Sequence, residues 1–181
     1  MKKKGFTLVE LLAVIAILAI LVIVAMPNVL GMFNQAKANT FVTEVQKYMD
    51  TAKTSFMTEA MQSGGQEVIF SSEVATGEVF AGKKELAMDG AEKTYVIWFD
   101  RNGNFDRVVI YDDNFCYDSK KAGITAASDS FDKSGVKVEH VMERDTDTTG
   151  GVDSLTSKTP ATTYPADDVI GCTGTTPAKV D

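Results

Sequence analysis

The chain has few of the residues on which most catalytic sites depend. Its 181 residues include one histidine, two cysteines and one tryptophan. The histidine, His140, lies in a valine-rich stretch next to Glu139, and no Ser-His-Asp or Cys-His set can be assembled around it. The sequence also contains no Cys-x-x-Cys pair and no phosphate-binding glycine loop. We therefore expect neither catalysis nor a cofactor.

Positive charge is also scarce, and its distribution is uneven. The 18 lysines and arginines are outnumbered by 25 acidic residues, which gives a net charge of −7. Three of the lysines, Lys2, Lys3 and Lys4, stand together at the N-terminus. An acidic chain is not expected to bind nucleic acid strongly, because the phosphate backbone attracts basic surfaces.

A long apolar run follows the three lysines. It extends from Phe6 to Met26, and Glu10 is its only charged residue. As a helix it would be about 30 Å long, which matches the hydrocarbon core of a bilayer. Since the lysines precede the run, the positive-inside rule places the N-terminus in the cytoplasm and the rest of the chain outside.

Two simpler interpretations of this run are a cleaved secretory signal and a plain membrane anchor. A secretory signal usually has a shorter apolar core, about 7–15 residues, followed by a small-residue cleavage site. Here the run ends in Val24-Ala25-Met26-Pro27, which is a weak cleavage site. A plain anchor leaves Glu10 unexplained, because a carboxylate inside a spanning helix costs a few kcal/mol and usually marks a function.

The sequence Lys-Lys-Lys-Gly5-Phe6-Thr-Leu-Val-Glu10-Leu-Leu resembles the class III signal of type IV pilins and pseudopilins. The resemblance implies that a prepilin peptidase cuts between Gly5 and Phe6 and methylates the new terminus at Phe6. It also implies that Glu10 acts in assembly. In a filament its buried carboxylate would pair with the Phe6 amine of a neighbouring subunit and set the register between the two.

The helix pattern continues beyond the apolar run. Apolar residues recur at helical spacing through residues 28–64, and Gly64-Gly65 marks the end, so we expect one helix over 6–63. Pro27 and Gly31 both lower helix propensity, which predicts a bend or an unwound stretch near them. In the family that the chain resembles, the helix kinks or melts at the corresponding proline.

The following region has the composition of a small sheet. An Asn102-Gly103 pair between two apolar segments predicts a hairpin. The resemblance implies a pilin fold, an α+β arrangement in which the long N-terminal helix packs on a small antiparallel sheet of about four strands. The candidate strands are Glu67–Phe70, Gly77–Phe80, Tyr95–Phe99, Phe105–Tyr111 and Val136–Met142.

The hairpin turn also offers a weak candidate for calcium. Oxygen-bearing side chains alternate there as in a calcium loop. However, Gly103 is misplaced for an EF-hand, and Tyr111 stands where the distal glutamate should be. We therefore favour a plain hairpin and no metal. The four candidate ligands are Asp100, Asn102, Asn104 and Asp106.

The two cysteines, Cys116 and Cys172, both lie in the exported part. Outside the cell a disulfide is the natural expectation, with free thiols as the alternative. Closing such a loop would stabilise the fold by about 4 kcal/mol in the chain-entropy model. From residue 145 onward the chain is rich in Thr, Ser, Gly and Asp, which predicts a loop region. A disulfide-bounded C-terminal loop also occurs in many pilins.

These observations predict five segments. They are a leader at 1–5, a transmembrane and filament-core helix at 6–27, an amphipathic helical half at 28–64, a sheet domain at 65–144 and a C-terminal loop region at 145–181. The resemblance implies a structural subunit of a type IV pilus, for adhesion, aggregation or twitching motility. The alternatives are a pseudopilin of a secretion or DNA-uptake filament, and a single-pass membrane-tethered binding domain.

The resemblance also implies partners and a location. The partners are further copies of this chain, the prepilin peptidase, a membrane platform protein, an assembly ATPase acting indirectly, and minor pilins. The precursor would lie in the cell membrane with its N-terminus in the cytoplasm, and the assembled subunit would lie in an extracellular filament.

Overall fold

The computed structural model describes residues 5–63, 68–72, 83–88, 93–124, 131–144 and residue 172. Its first element is the helix α1, Leu8–Ser63, which is 56 residues long. The predicted helix was therefore right in extent, apart from a start two residues later than expected. The chain divides into two compact units, and the boundary follows Lys37, inside the helix.

The first unit contains the apolar part of α1. This part is long and apolar enough to cross a membrane, and its most apolar window is not buried within the described part of the chain. Its large side chains, from Leu8 to Phe33, are exposed. Apolar surface on this scale is costly in water. The helix therefore requires a bilayer or other apolar partners.

The second unit contains the rest of α1 and a six-stranded sheet. The strands are β1 (Val68–Ser71), β2 (Lys83–Lys84), β3 (Thr94–Phe99), β4 (Phe105–Tyr111), β5 (Phe115–Asp118) and β6 (Met142–Glu143). Their order across the sheet is β2-β1-β3-β4-β5-β6. All neighbours pair antiparallel except β1 and β2, which are parallel. This is the predicted α+β, pilin-like arrangement, with a parallel pair at one edge.

One face of the sheet packs on the second half of α1. The helix contributes buried side chains at helical spacing, among them Phe41, Val45 and Phe56. Phe56 stacks on Phe99 of β3 with ring centroids 4.8 Å apart, and Phe99 contacts Phe105 of β4 at 4.6 Å. Aromatic rings at this spacing add to the stabilisation that comes from burying their apolar area. The helix and the central hairpin therefore share one core.

The opposite face of the sheet is buried as well. A second, smaller apolar cluster there contains Val96, Val109, Tyr111, Cys116 and Cys172. Burial on both faces explains why β3 and β4 are nearly continuous apolar runs rather than alternating ones. Cys172 joins this cluster through its disulfide with Cys116 of β5. The Cα atoms of the two cysteines are 5.7 Å apart. The expected disulfide is therefore present.

The predicted strand Val136–Met142 was wrong. The structure has two short 3-10 helices there, Lys133–Gly135 and Val138–His140, and strand β6 begins only at Met142. Asp132 starts the first turn by accepting a hydrogen bond from the backbone N–H of Ser134. Side-chain capping of this kind competes with strand formation. The alternation of Val136 and Val138 had suggested a strand. His140 therefore lies in a 3-10 turn.

Two short strands, β2 and β5, were missed. The signal for β5 was the turn before it, since Asp112 accepts hydrogen bonds from the backbone N–H groups of Asn114 and Phe115, both at 2.8 Å. An Asp at such a position is a standard turn former. The other predicted strand, Gly77–Phe80, lies outside the described residues.

Candidate processing and assembly site

The residues on either side of the predicted cut are accessible. Gly5 precedes the helix and is exposed, and Phe6 is 78% exposed. A Cβ atom built on Gly5 would meet no atom within 4 Å. The fold of the subunit therefore does not explain a glycine at this position. A glycine here is consistent with recognition by a protease, because a residue without a side chain lets the substrate backbone approach an active site closely.

The start of the helix is a capping box formed by Thr7 and Glu10. The Glu10 Oε2 atom accepts a hydrogen bond from the backbone N–H of Thr7 at 2.9 Å and from the Thr7 hydroxyl at 2.7 Å. In return, the Glu10 backbone N–H donates to the Thr7 hydroxyl at 3.3 Å. This reciprocal pattern satisfies backbone donors that the first helical turn leaves without partners.

The capping box gives Glu10 a second role, which the sequence analysis missed. The signal was present, because Thr-x-x-Glu before an apolar run is the usual sequence pattern of a capping box. The carboxylate also lies in the first turn of the helix, where the helix dipole favours negative charge. Thr7 thus provides local partners for the only acidic side chain in the apolar run.

Pro27 and Gly31 lie inside the continuous helix. Pro27 has no backbone N–H, so one hydrogen bond of the helix ladder is missing there. Residues 21–31 are nevertheless helical in the single subunit. A loss of helix in this segment within a filament stays a prediction.

The turn between β3 and β4 uses its polar groups internally. The Asp100 carboxylate accepts hydrogen bonds from the backbone N–H groups of Asn102 and Asn104, at 2.9 and 2.8 Å, and from the Asn104 side chain at 3.1 Å. Gly103 adopts a φ of 81°, and Lys53 of α1 donates a hydrogen bond to its carbonyl. This geometry is that of the hairpin that we favoured.

The arrangement of these side chains does not support calcium binding at the turn. Among the described residues, no group of three or more His, Cys, Asp or Glu side chains is placed to hold a metal ion. Asp106, the fourth candidate ligand, lies in β4. The absence of a metal at this turn stays an untested prediction, with calcium as the weaker alternative.

The comparisons with known proteins identify the N-terminal region. Residues 1–26 match the family model described as the prokaryotic N-terminal methylation motif. This motif is the class III signal of type IV prepilins, and the long apolar helix fits it. The motif supports a precursor of the type IV pilin-like or pseudopilin kind, and the family that carries this motif is one of structural proteins.

The motif and the helix also fit a membrane-anchored precursor that a prepilin peptidase processes, in a class of filament-forming proteins. Searches of curated proteins and of solved structures returned no significant match. The likeness to this family therefore depends on the first 26 residues, and the helix and sheet add a pilin-like arrangement.

Proposed function

We propose that this chain is the main structural subunit of a type IV pilus. The observation that carries the proposal is a processing motif followed by a helix whose apolar surface, from Leu8 to Phe33, is exposed in the single subunit. In a filament, copies of this helix would pack together and remove that surface from water or lipid. The sheet-containing unit would then form the outer surface of the filament.

Processing would create a charged partner for Glu10. Cleavage between Gly5 and Phe6 removes three lysines and leaves a methylated amine at Phe6. We propose that this amine pairs with Glu10 of a neighbouring subunit, while the Thr7 hydrogen bonds satisfy the carboxylate before assembly. Leaving a buried charge without a partner is strongly unfavourable, so the pair would select one axial register.

The capping box makes it possible to separate these two roles of Glu10. In Glu10→Gln, the side chain can still accept the Thr7 hydrogen bonds, because glutamine serves in capping boxes as well as glutamate. It carries no charge, however, and cannot form an ion pair with the amine. Thr7→Val has the opposite effect, since it removes the hydroxyl and keeps the charge.

The experiment measures processed chain and sheared filaments from cells that express each variant. We expect Glu10→Gln to be processed normally but to lose most of its filaments, and Thr7→Val to retain many more. If Glu10→Gln assembles as the unchanged chain does, the proposed ion pair is wrong. Glu10→Asp is the matched control, because it keeps the charge but shortens the side chain.

The same material tests the assignment to a major pilin. Mass spectrometry of the sheared fraction should find an abundant chain that begins at methylated Phe6. A processed chain that is scarce there and stays with the membrane would indicate a pseudopilin or a minor pilin instead. A working protein that still begins at Met1 or Lys2 would contradict the pilin assignment and favour a membrane-tethered binding domain. Only an abundant chain that begins at methylated Phe6 would support the platform protein and the assembly ATPase as partners.

A further inference from the structure

A buried lysine lies between two carboxylates at the open end of the β3–β4 hairpin. The Lys93 Nζ atom is 2.7 Å from Asp112 Oδ2 and 2.9 Å from Glu44 Oε2. The Lys93 side chain is 7% exposed, and its Nζ atom lies 5.2 Å from the centre of the Phe41 ring. Thus an amine, a carboxyl group and a second carboxylate meet beside an aromatic ring.

The strands hold the lysine and the aspartate opposite each other. Thr94 of β3 pairs with Tyr111 of β4, and Lys93 and Asp112 are the next residues on each strand. The backbone N–H of Lys93 also donates to the Tyr48 hydroxyl of α1 at 3.2 Å. Reacting groups fixed in contact in this way gain a large entropic advantage over the same groups free in solution.

Asp112 is also held in a way that suits attack on its carboxyl carbon. Its Oδ1 atom accepts the backbone N–H groups of Asn114 and Phe115, both at 2.8 Å. Two backbone donors on one oxygen can stabilise the negative charge that develops there in a tetrahedral intermediate. The other oxygen, Oδ2, faces the lysine and is therefore the one that can leave.

We propose that Lys93 and Asp112 form an intramolecular amide bond, and that Glu44 transfers the protons. A proton first moves from the Lys93 ammonium to Asp112 Oδ2, and the free amine then bonds to the carboxyl carbon. Glu44 accepts a proton from the attacking nitrogen and returns it to Oδ2. The bond between carbon and Oδ2 breaks, and one water molecule leaves. Glu44 ends unchanged, and no oxidant or reductant is consumed.

Electrostatics makes this reaction slow rather than fast. Burial lowers the pKa of Lys93, but the hydrogen bonds and charges of Asp112 and Glu44 outweigh burial and raise that pKa overall. Burial raises the pKa of Asp112, but Lys93 and the two backbone donors outweigh it and lower that pKa. The reactive neutral pair is therefore a minor form, and the bond should accumulate as the folded protein ages.

The product would lock the hairpin covalently. It would join the residue before β3 to the residue after β4, next to the helix residue Glu44. It would also replace two charges by a neutral amide in a partly buried place, which removes their desolvation cost. A covalent link between neighbouring strands would resist unfolding of the sheet under tension.

The test is mass spectrometry of the full mature chain, isolated from cells in detergent, reduced and digested with trypsin. Acylated Lys93 resists trypsin, so the proposal predicts a branched peptide in which residues 85–101 are joined to residues 108–120, with a mass lower by one water. Fragment ions must place the link, because an Asp89-Gly90 imide also loses water. Separate peptides ending at Lys93 and containing intact Asp112, in aged as well as fresh protein, would overturn the proposal.

Two variants test the assigned chemistry. Lys93→Arg keeps the charge but cannot form the amide, and it should abolish the branched peptide. Glu44→Gln keeps both reacting groups and should strongly reduce the branched peptide, whereas an unchanged yield would refute proton transfer by Glu44. The exposed Lys133–Asp50 ion pair is an internal control, which we expect to stay uncrosslinked.

Discussion

The buried ion pair between Arg107 and Asp118 should be among the sites in the sheet-containing unit where a single substitution lowers stability most. The two side chains are 3% and 1% exposed. Arg107 donates from Nε to Asp118 Oδ1 at 3.1 Å and from Nη2 to Oδ2 at 2.6 Å. The guanidinium also lies over the Trp98 ring, 5.8 Å from its centre. The pair connects β4 to the end of β5 within the sheet.

Removing only one partner should therefore be costly. In Arg107→Met the side chain still fills space, but the Asp118 carboxylate loses both guanidinium donors and retains the backbone N–H of Lys120 at 3.0 Å. Breaking a buried pair in this way costs about 3–5 kcal/mol. Replacing both partners, as in Arg107→Met with Asp118→Leu, should recover most of that loss, because no buried charge remains.

The assay is urea unfolding of the mature chain in detergent, with the disulfide intact. Trp98 is the only tryptophan, so its fluorescence reports on this unit, and far-ultraviolet circular dichroism provides a second signal that is less sensitive to the contact with Arg107. With an m-value of about 1–3 kcal/mol/M, the midpoint for Arg107→Met should fall by at least about 1 M.

Lys133→Met is the matched control. It breaks the pair with Asp50, in which both side chains are more than half exposed, and it should cost less than about 1 kcal/mol. Two outcomes would contradict this prediction. Arg107→Met would lower the free energy of unfolding by no more than Lys133→Met does, or the double variant would be as unstable as Arg107→Met alone.

Three further predictions concern the turn and the core, and the same unfolding assay measures them. Gly103→Ala should destabilise by about 1–3 kcal/mol, because φ is 81° and the new Cβ would lie 2.5 Å from Phe56 Cε1; an unchanged midpoint would show that the turn relaxes freely. Burial raises the pKa of the Asp100 carboxyl, but hydrogen bonds such as those from Asn104 outweigh burial and hold this pKa below its usual 3.8. The contribution of Asp100 to the free energy of unfolding is therefore fully present above pH 3.8 and is lost as the pH falls through the lower pKa of the folded state. Asp100→Asn should make stability less dependent on pH in this acid range. Tyr117→Phe should leave stability unchanged or raise it by about 1 kcal/mol, because the buried Tyr117 hydroxyl has no hydrogen-bond partner in the described part of the chain; a clear loss would reveal a partner.

The N-terminal part of this protein could be predicted from the sequence because its signals are local. Lysines, a Gly-Phe step and a long apolar run stand next to one another, and helical periodicity extends over dozens of residues. The central hairpin was predictable for the same reason, since Asn102-Gly103 separates two apolar strands. The capping box of Thr7 and Glu10 was equally local, because Thr-x-x-Glu before an apolar run is its usual sequence pattern.

The rest depended on contacts between residues far apart in the chain. A two-residue strand such as β2 exists because β1 offers it backbone partners, and its own sequence, Lys83-Lys84, gives no strand signal. Val136 and Val138 alternate as in a strand, yet side-chain capping by Asp132 and a hydrogen bond from Gln46 of α1 to the Val136 carbonyl stabilise another conformation.

The sequence by itself predicted a processing site, identified the segment that can enter a membrane and predicted that the two cysteines pair. These properties depend on residue type and order along a short stretch. Only the tertiary structure decided that Arg107 meets Asp118 and that Lys93 lies between Glu44 and Asp112. Charges in a sequence carry no sign of their partners, because burial and strand register bring them together only when the chain folds.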